Sequence, residues 1–144
     1  GLTVSGPTSA TQMRSLTLGV HQAGTANLLV DPAGDLLIDQ ALTIAAGGRL
    51  SGSGTVTAVG GITNQGEIDL GSQGLYVAGG ALTNTGLVRG GGTIDNALDN
   101  STSGEVRVAA GQRMHLTNNG DQFNEGRIDV DSLPFQSFSA GQGE

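Results

Sequence analysis

The sequence predicts an all-β chain, a right-handed parallel β-helix (β-solenoid) of about six rungs, each of roughly 20 residues with three short strands. Three observations point there: an excess of glycine, a recurring Gly-x-apolar motif, and two further apolar columns of the same period. Glycine supplies 26 of 144 residues, against a usual share of about 7%. Only 13% of residues are charged and 3% aromatic. A disordered chain has high net charge and few β-branched residues, whereas Val, Ile and Thr are plentiful here. Frequent turning with little bulk suits a backbone that coils repeatedly.

The motif places a glycine two residues before an apolar residue: Gly48/Leu50, Gly66/Ile68, Gly86/Val88, Gly104/Val106 and Gly126/Ile128. Successive occurrences are 18, 20, 18 and 22 residues apart. A second column reads Leu42, Ile62, Leu82, Leu98 and Leu116, and a third reads Val56, Leu75, Ile94 and Met114. Leu18, Leu28 and Leu36 supply an earlier, less regular rung. The glycines are read as structural corners, where φ > 0 is open to a residue without Cβ. Asn64, Asn84, Asn100 and Asn118 follow the second column at a fixed offset and are expected to stack as an amide ladder. Thr43, Thr63, Thr83, Asp99 and Thr117, one position earlier, are expected outside.

Charges give an independent reading of register. Residues flanking an inward side chain point outward, which forms the columns Arg49, Glu67, Leu87, Glu105, Arg127 and Ser51, Asp69, Arg89, Arg107, Asp129. This alignment stacks Arg49 on Glu67, Asp69 on Arg89, Glu105 on Arg127 and Arg107 on Asp129, and leaves Arg89 beside Arg107. The expected organisation is an irregular N-terminal part at 1–40, a regular solenoid at 41–130 and a tail at 131–144. Extra residues between Leu116 and Gly126 read as a loop inserted at one corner. In the tail, Pro134 opposes another central strand, and Phe135 and Phe138 are expected to cap the open end or to contact a neighbour.

The composition narrows function. Net charge is −7, with six Arg and no Lys, so neither a nucleic-acid stripe nor a polybasic membrane segment is expected. No apolar run has the length of a membrane-spanning helix. The opening GLTVSGPTSA has neither an initiator Met nor the basic-then-apolar order of a signal peptide, which suggests a processed or excised segment. Without Cys there are no disulfides or thiolate sites. The nearest carboxylate sets for polysaccharide cleavage are Asp95 with Asp99 and Asp129 with Asp131, with no adjacent Asp pair. Two unrelated His, His21 and His115, do not suggest a metal site. Calcium is the one cation considered, at Asp121, Glu125 and Asp129, although GGGTID at 90–95 lacks the repeated calcium-binding pattern. Thr55–Val56–Thr57 is an unrepeated Thr-x-Thr, too little for an ice-binding array.

The segments SLTLG, ALTIAAGGRLSGSGTV, ALTNTGLVRGGGTI and SGEVRVAAGQ resemble the repeats of bacterial autotransporter passengers and filamentous-haemagglutinin-like adhesins. The resemblance covers residues 14–130 and implies export to the bacterial surface, a right-handed parallel β-helix, and adhesion or structure as the role. Six rungs would form a rod of about 29 Å with two exposed sheet ends. The expectation is therefore a non-enzymatic structural unit of a fibre, stalk or matrix, without cofactor, that pairs with itself. The alternatives are an adhesin module for a glycan or host surface and, behind it, a polysaccharide-active fragment.

Overall fold

The structure is a computed structural model that describes residues 1–5, 11–19, 25–72 and 74–131. Phe135, Phe138 and His21 lie outside the described residues. The chain winds through three parallel sheets in fixed succession, one strand from each sheet per turn. The first sheet has seven strands: Leu2–Val4, Ala26–Val30, Gly48–Gly52, Glu67–Asp69, Leu87–Arg89, Glu105–Val108 and Arg127–Val130. The second has six: Thr11–Met13, Asp35–Ile38, Thr55–Ala58, Tyr76–Gly79, Gly92–Asp95 and Met114–Leu116. The third has six: Leu16–Leu18, Leu42–Ile44, Ile62–Asn64, Leu82–Asn84, Leu98–Asn100 and Phe123–Asn124. No helix forms among the described residues.

The first sheet has the register expected from the motif. Leu50, Ile68, Val88, Val106 and Ile128 stand in one column, and Leu28 and Leu2 extend it downward. Leu18 pairs with Ile44 and Leu36 with Val56, so strands within 1–40 belong to the same three sheets. Strand alternation sends one set of side chains to the shared interior. There Leu28, Leu50, Ile68 and Val88 from the first sheet meet Leu36, Val56 and Ile94 from the second and Leu42, Leu82 and Leu98 from the third, all buried.

The five motif glycines are needed for a reason other than positive φ. Left-handed glycines occur at 19, 47, 52, 61, 71, 74, 79, 90 and 111, and none belongs to the motif. Instead, a Cβ on Gly66 would lie 2.3 Å from the Gly48 carbonyl oxygen, one on Gly86 2.3 Å from Gly66 O, and one on Gly126 2.3 Å from Gly104 O. Gly48 and Gly104 meet the backbone of the preceding rung in the same way. The corner leaves no room for a side chain because adjacent rungs touch there backbone to backbone.

Two columns depart from expectation. In the second sheet Val56 pairs with Val77, Val77 with Ile94, and Ile94 with Leu116. Leu75 is buried but lies in the preceding turn, and Met114 pairs with Gly92. Both discrepancies are two residues long, a shift that keeps a side chain on the same face. Leu116 is therefore in the second sheet, and the third-sheet column above Leu98 does not contain it. The inserted loop follows Leu116, and its end is tied in by Gln122, whose side-chain oxygen accepts the Leu98 N–H at 2.8 Å. On the turns below, the equivalent N–H groups of Leu42, Ile62 and Leu82 donate to the backbone carbonyls of Gly61, Ala81 and Ala97. A side-chain amide thus substitutes for backbone where the loop bulges. Phe123, not Thr117, stands above Asp99, and Asn124, not Asn118, above Asn100.

Candidate functional site

The polar residues of the solenoid include one interior column, a separate buried amide at Asn96 that donates to the Gly80 carbonyl, and two exterior clusters. Inside, at the tight corner between the third and first sheets, Asn64, Asn84 and Asn100 are fully buried. Asn64 Nδ2 donates to Asn84 Oδ1, Asn84 Nδ2 to Asn100 Oδ1 and Asn100 Nδ2 to Asn124 Oδ1, each at 2.7 Å. The same amides also reach backbone carbonyls of the next strand, including Leu87 O and Glu105 O. A buried amide is tolerated only when so satisfied. The column ends below at Ile44, which pairs with Asn64, and there Asn64 Oδ1 is buried without a partner.

Outside the first sheet, two carboxylates hold two guanidinium groups. Arg89 contacts Glu67 at 2.7 Å and Asp69 at 2.8 Å, and Arg49 contacts the same two residues. The hydrogen bond to Glu67, helped by the Asp69 charge and opposed by burial, holds Arg89 above the ordinary arginine value. The expected Arg49–Glu67 and Asp69–Arg89 stacks are present. The other two stacks, Glu105 with Arg127 and Arg107 with Asp129, are in register as expected, but the ion pairs there form along each strand: Arg107 binds Glu105 at 2.6 Å and Arg127 binds Asp129 at 2.8 Å. Residues two apart share a face. Arg107, next to Arg89, therefore finds a carboxylate beside it, and Arg127, on the last strand, does the same.

The outer face of the second sheet carries Tyr76, Thr93 and His115 in one column, with Ala78, Asp95 and Thr117 beside it. Tyr76 OH donates to Asp95 Oδ2 at 2.8 Å and Thr117 Oγ1 to Asp95 Oδ1 at 3.1 Å. This hydrogen bond, then desolvation and the Asp95 charge, raise the Tyr76 pKa above the ordinary phenol value. At the adjoining corner between the first and second sheets lies a groove of about 390 Å³, lined by Ser72, Gly74, Gly91, Gly92, Thr93, Gly111, Gln112, Arg113 and His115. Three successive rungs place glycine here, and the missing side chains create the concavity. A second groove of about 460 Å³ lies beside Arg49 and Glu67, both already engaged in the charge network.

Asp95 is on the second sheet and Asp99 on the outer side of the third, while Asp129 is held by Arg127 and Asp131 follows the strand. Among the described residues no three of His, Asp or Glu are grouped to hold a metal ion, so Asp121, Glu125 and Asp129 are not gathered. The Tyr76–Asp95–Thr117 cluster and the groove were not anticipated from sequence. The signal for the groove was the glycine at 74, 91, 92 and 111, which becomes meaningful only once rung lengths are known. No family model matches the chain, and neither a curated protein nor a solved structure does. The class follows from the fold: the chain is a three-sided parallel β-solenoid repeat protein.

Proposed function

We propose that this chain is a structural unit of an extracellular bacterial fibre, stalk or matrix, and that it works by stacking on further solenoid rungs, those of a second copy included. The observation that supports the reading is the C-terminal end of the stack. Among the described residues, Met114–Leu116, Phe123–Asn124 and Arg127–Val130 are each the last strand of their sheet, paired on one side only. On these strands the column residues are part-exposed: Leu116 is 46% exposed, Ile128 52% and Val130 63%. A sheet edge with apolar neighbours is a template for another strand. Below, the equivalent first-sheet positions at the other end are Leu2 and Val4, so apolar residues meet in the same register when one copy follows another.

Electron microscopy and sedimentation of the purified chain test this. Filaments or a concentration-dependent oligomer are expected, and Ile128→Lys with Val130→Lys should return the protein to monomer. A monomer at every concentration would remove the stacking proposal. The second reading, an adhesin module for a glycan or host surface, is supported by the projecting loop after Leu116. That loop is braced by Asn118 and Gln122, which bond within it. Binding on a glycan array that disappears when residues 119–124 are deleted would favour it.

A further inference from the structure

We infer that the groove at the corner of the first and second sheets binds an anionic saccharide, with Arg113 holding its carboxylate or sulfate group. The inference stands apart from the stacking ends and does not rest on the structural reading. Its volume, about 390 Å³, falls in the range of about 300–1,000 Å³ typical of ligand sites. Its lining comes from three rungs, two spacings of about 4.8 Å, a span that suits one or two sugar rings.

Charge selects the ligand. The chain has 13 acidic residues and six Arg, yet none of the described residues that line this groove is a carboxylate. Arg49, Arg89, Arg107 and Arg127 all bind carboxylates on the first sheet, whereas Arg113 has no ion-pair partner among the described residues. A guanidinium presents a planar fork of donors that matches a carboxylate or sulfate. The remaining walls are polar but uncharged or imidazole: the hydroxyls of Ser72 and Thr93, the Gln112 amide and the His115 ring. These groups suit sugar hydroxyls. Tyr76 heads the outward column that continues through Thr93 and His115. Its partly exposed ring offers a flat apolar surface next to polar groups.

Binding is tested on the full chain by amide chemical shifts, with four probes: trigalacturonate, a sulfated carrageenan disaccharide that has no carboxylate, neutral maltotriose and inorganic sulfate. At least one anionic saccharide should move the amides of Gly74, Gly91, Gly92 and Gly111, and which of the two does so assigns the carboxylate or the sulfate source. Arg113→Gln should weaken that binding about tenfold or more, since a charge-assisted hydrogen bond is lost. Gly111→Asn should block it without changing the melting temperature. Nothing lies within 4 Å of a Cβ there, and Asn tolerates the left-handed backbone that Gly111 adopts. The proposal fails if neither anionic saccharide shifts these amides, or if maltotriose or sulfate alone binds as tightly. Affinity indifferent to Arg113→Gln would also overturn it.

Discussion

Ile68 and Ile128 occupy the same column, follow the same glycine corner and flank the same kind of outward charge, yet Ile68 is 0% exposed and Ile128 52%. The difference lies in what is stacked above. In a globular core a residue is buried by elements from several directions. In a solenoid the rungs on either side supply most of the cover, so an identical residue changes role with its height in the stack. The middle of the molecule and its last described rung are one design seen with and without an upper strand neighbour among the described residues.

The largest expected effect contrasts Gly86 with Gly126. Each would place a new Cβ 2.3 Å from a backbone oxygen of the rung below. Gly86→Val should lower stability by more than about 3 kcal/mol in chemical denaturation, because it must part from the rung below in the middle of the stack, where the rungs above cannot open by themselves. Gly126→Val should cost roughly 1 kcal/mol or less globally, since a terminal rung can open by itself in a fold held by nearest neighbours. Hydrogen exchange should then show protection lost only in the final rung. Equal destabilisation by the two would break the comparison.

Next is the pair of isoleucines. Ile68→Ala should cost about 2–5 kcal/mol, the usual range for emptying a packed site. At Ile128 the same change should cost under about 1 kcal/mol, since half the side chain already meets water. If Ile128→Ala proves as costly as Ile68→Ala, the last rung is covered by something in solution, and the change should also dissolve any assembly.

The smallest effect concerns Tyr76, the chain's one tyrosine, whose ionisation can be followed by absorbance. Its hydroxyl donates to Asp95 only while protonated, which raises the folded pKa. The contribution is complete below the unfolded tyrosine value and is lost as pH rises through the folded one. Asp95→Asn should move the midpoint down toward that of a free tyrosine. An unchanged midpoint would show that the bond does not persist in water.

Legibility followed corner length. Between the third and first sheets the connection on the motif rungs is two to four residues, at 45–47, 65–66, 85–86, 101–104 and 125–126, and the glycine at its end or at the start of the next strand made the motif readable directly. Between the first and second sheets the connections run 70–75, 90–91 and 109–113. A fixed period cannot follow such variation, which is why Leu75 and Met114 were placed two residues early. The last passage to the third sheet, 117–122, is also long, which displaced Leu116, Thr117 and Asn118 together. The groove was hidden for the same reason: its glycines align only when these unequal corners are superposed. The motif glycines were located correctly but for a different cause, contact with the rung below in place of a left-handed bend.

The interior amides do something that greasy side chains cannot. Sliding a strand by two positions leaves its oily side inward, so Leu, Ile and Val tolerate several alignments of neighbouring turns. Asn84 does not, because moving Asn84 or its neighbours by two residues would strand amide groups in a dry interior. The column therefore acts as an index mark, counting turns into step during folding. It is also one-way from Asn64 to Asn124, each amide nitrogen facing the oxygen above it, so the upper turns carry a polarity in their side chains that the oily turns beneath Asn64 do not.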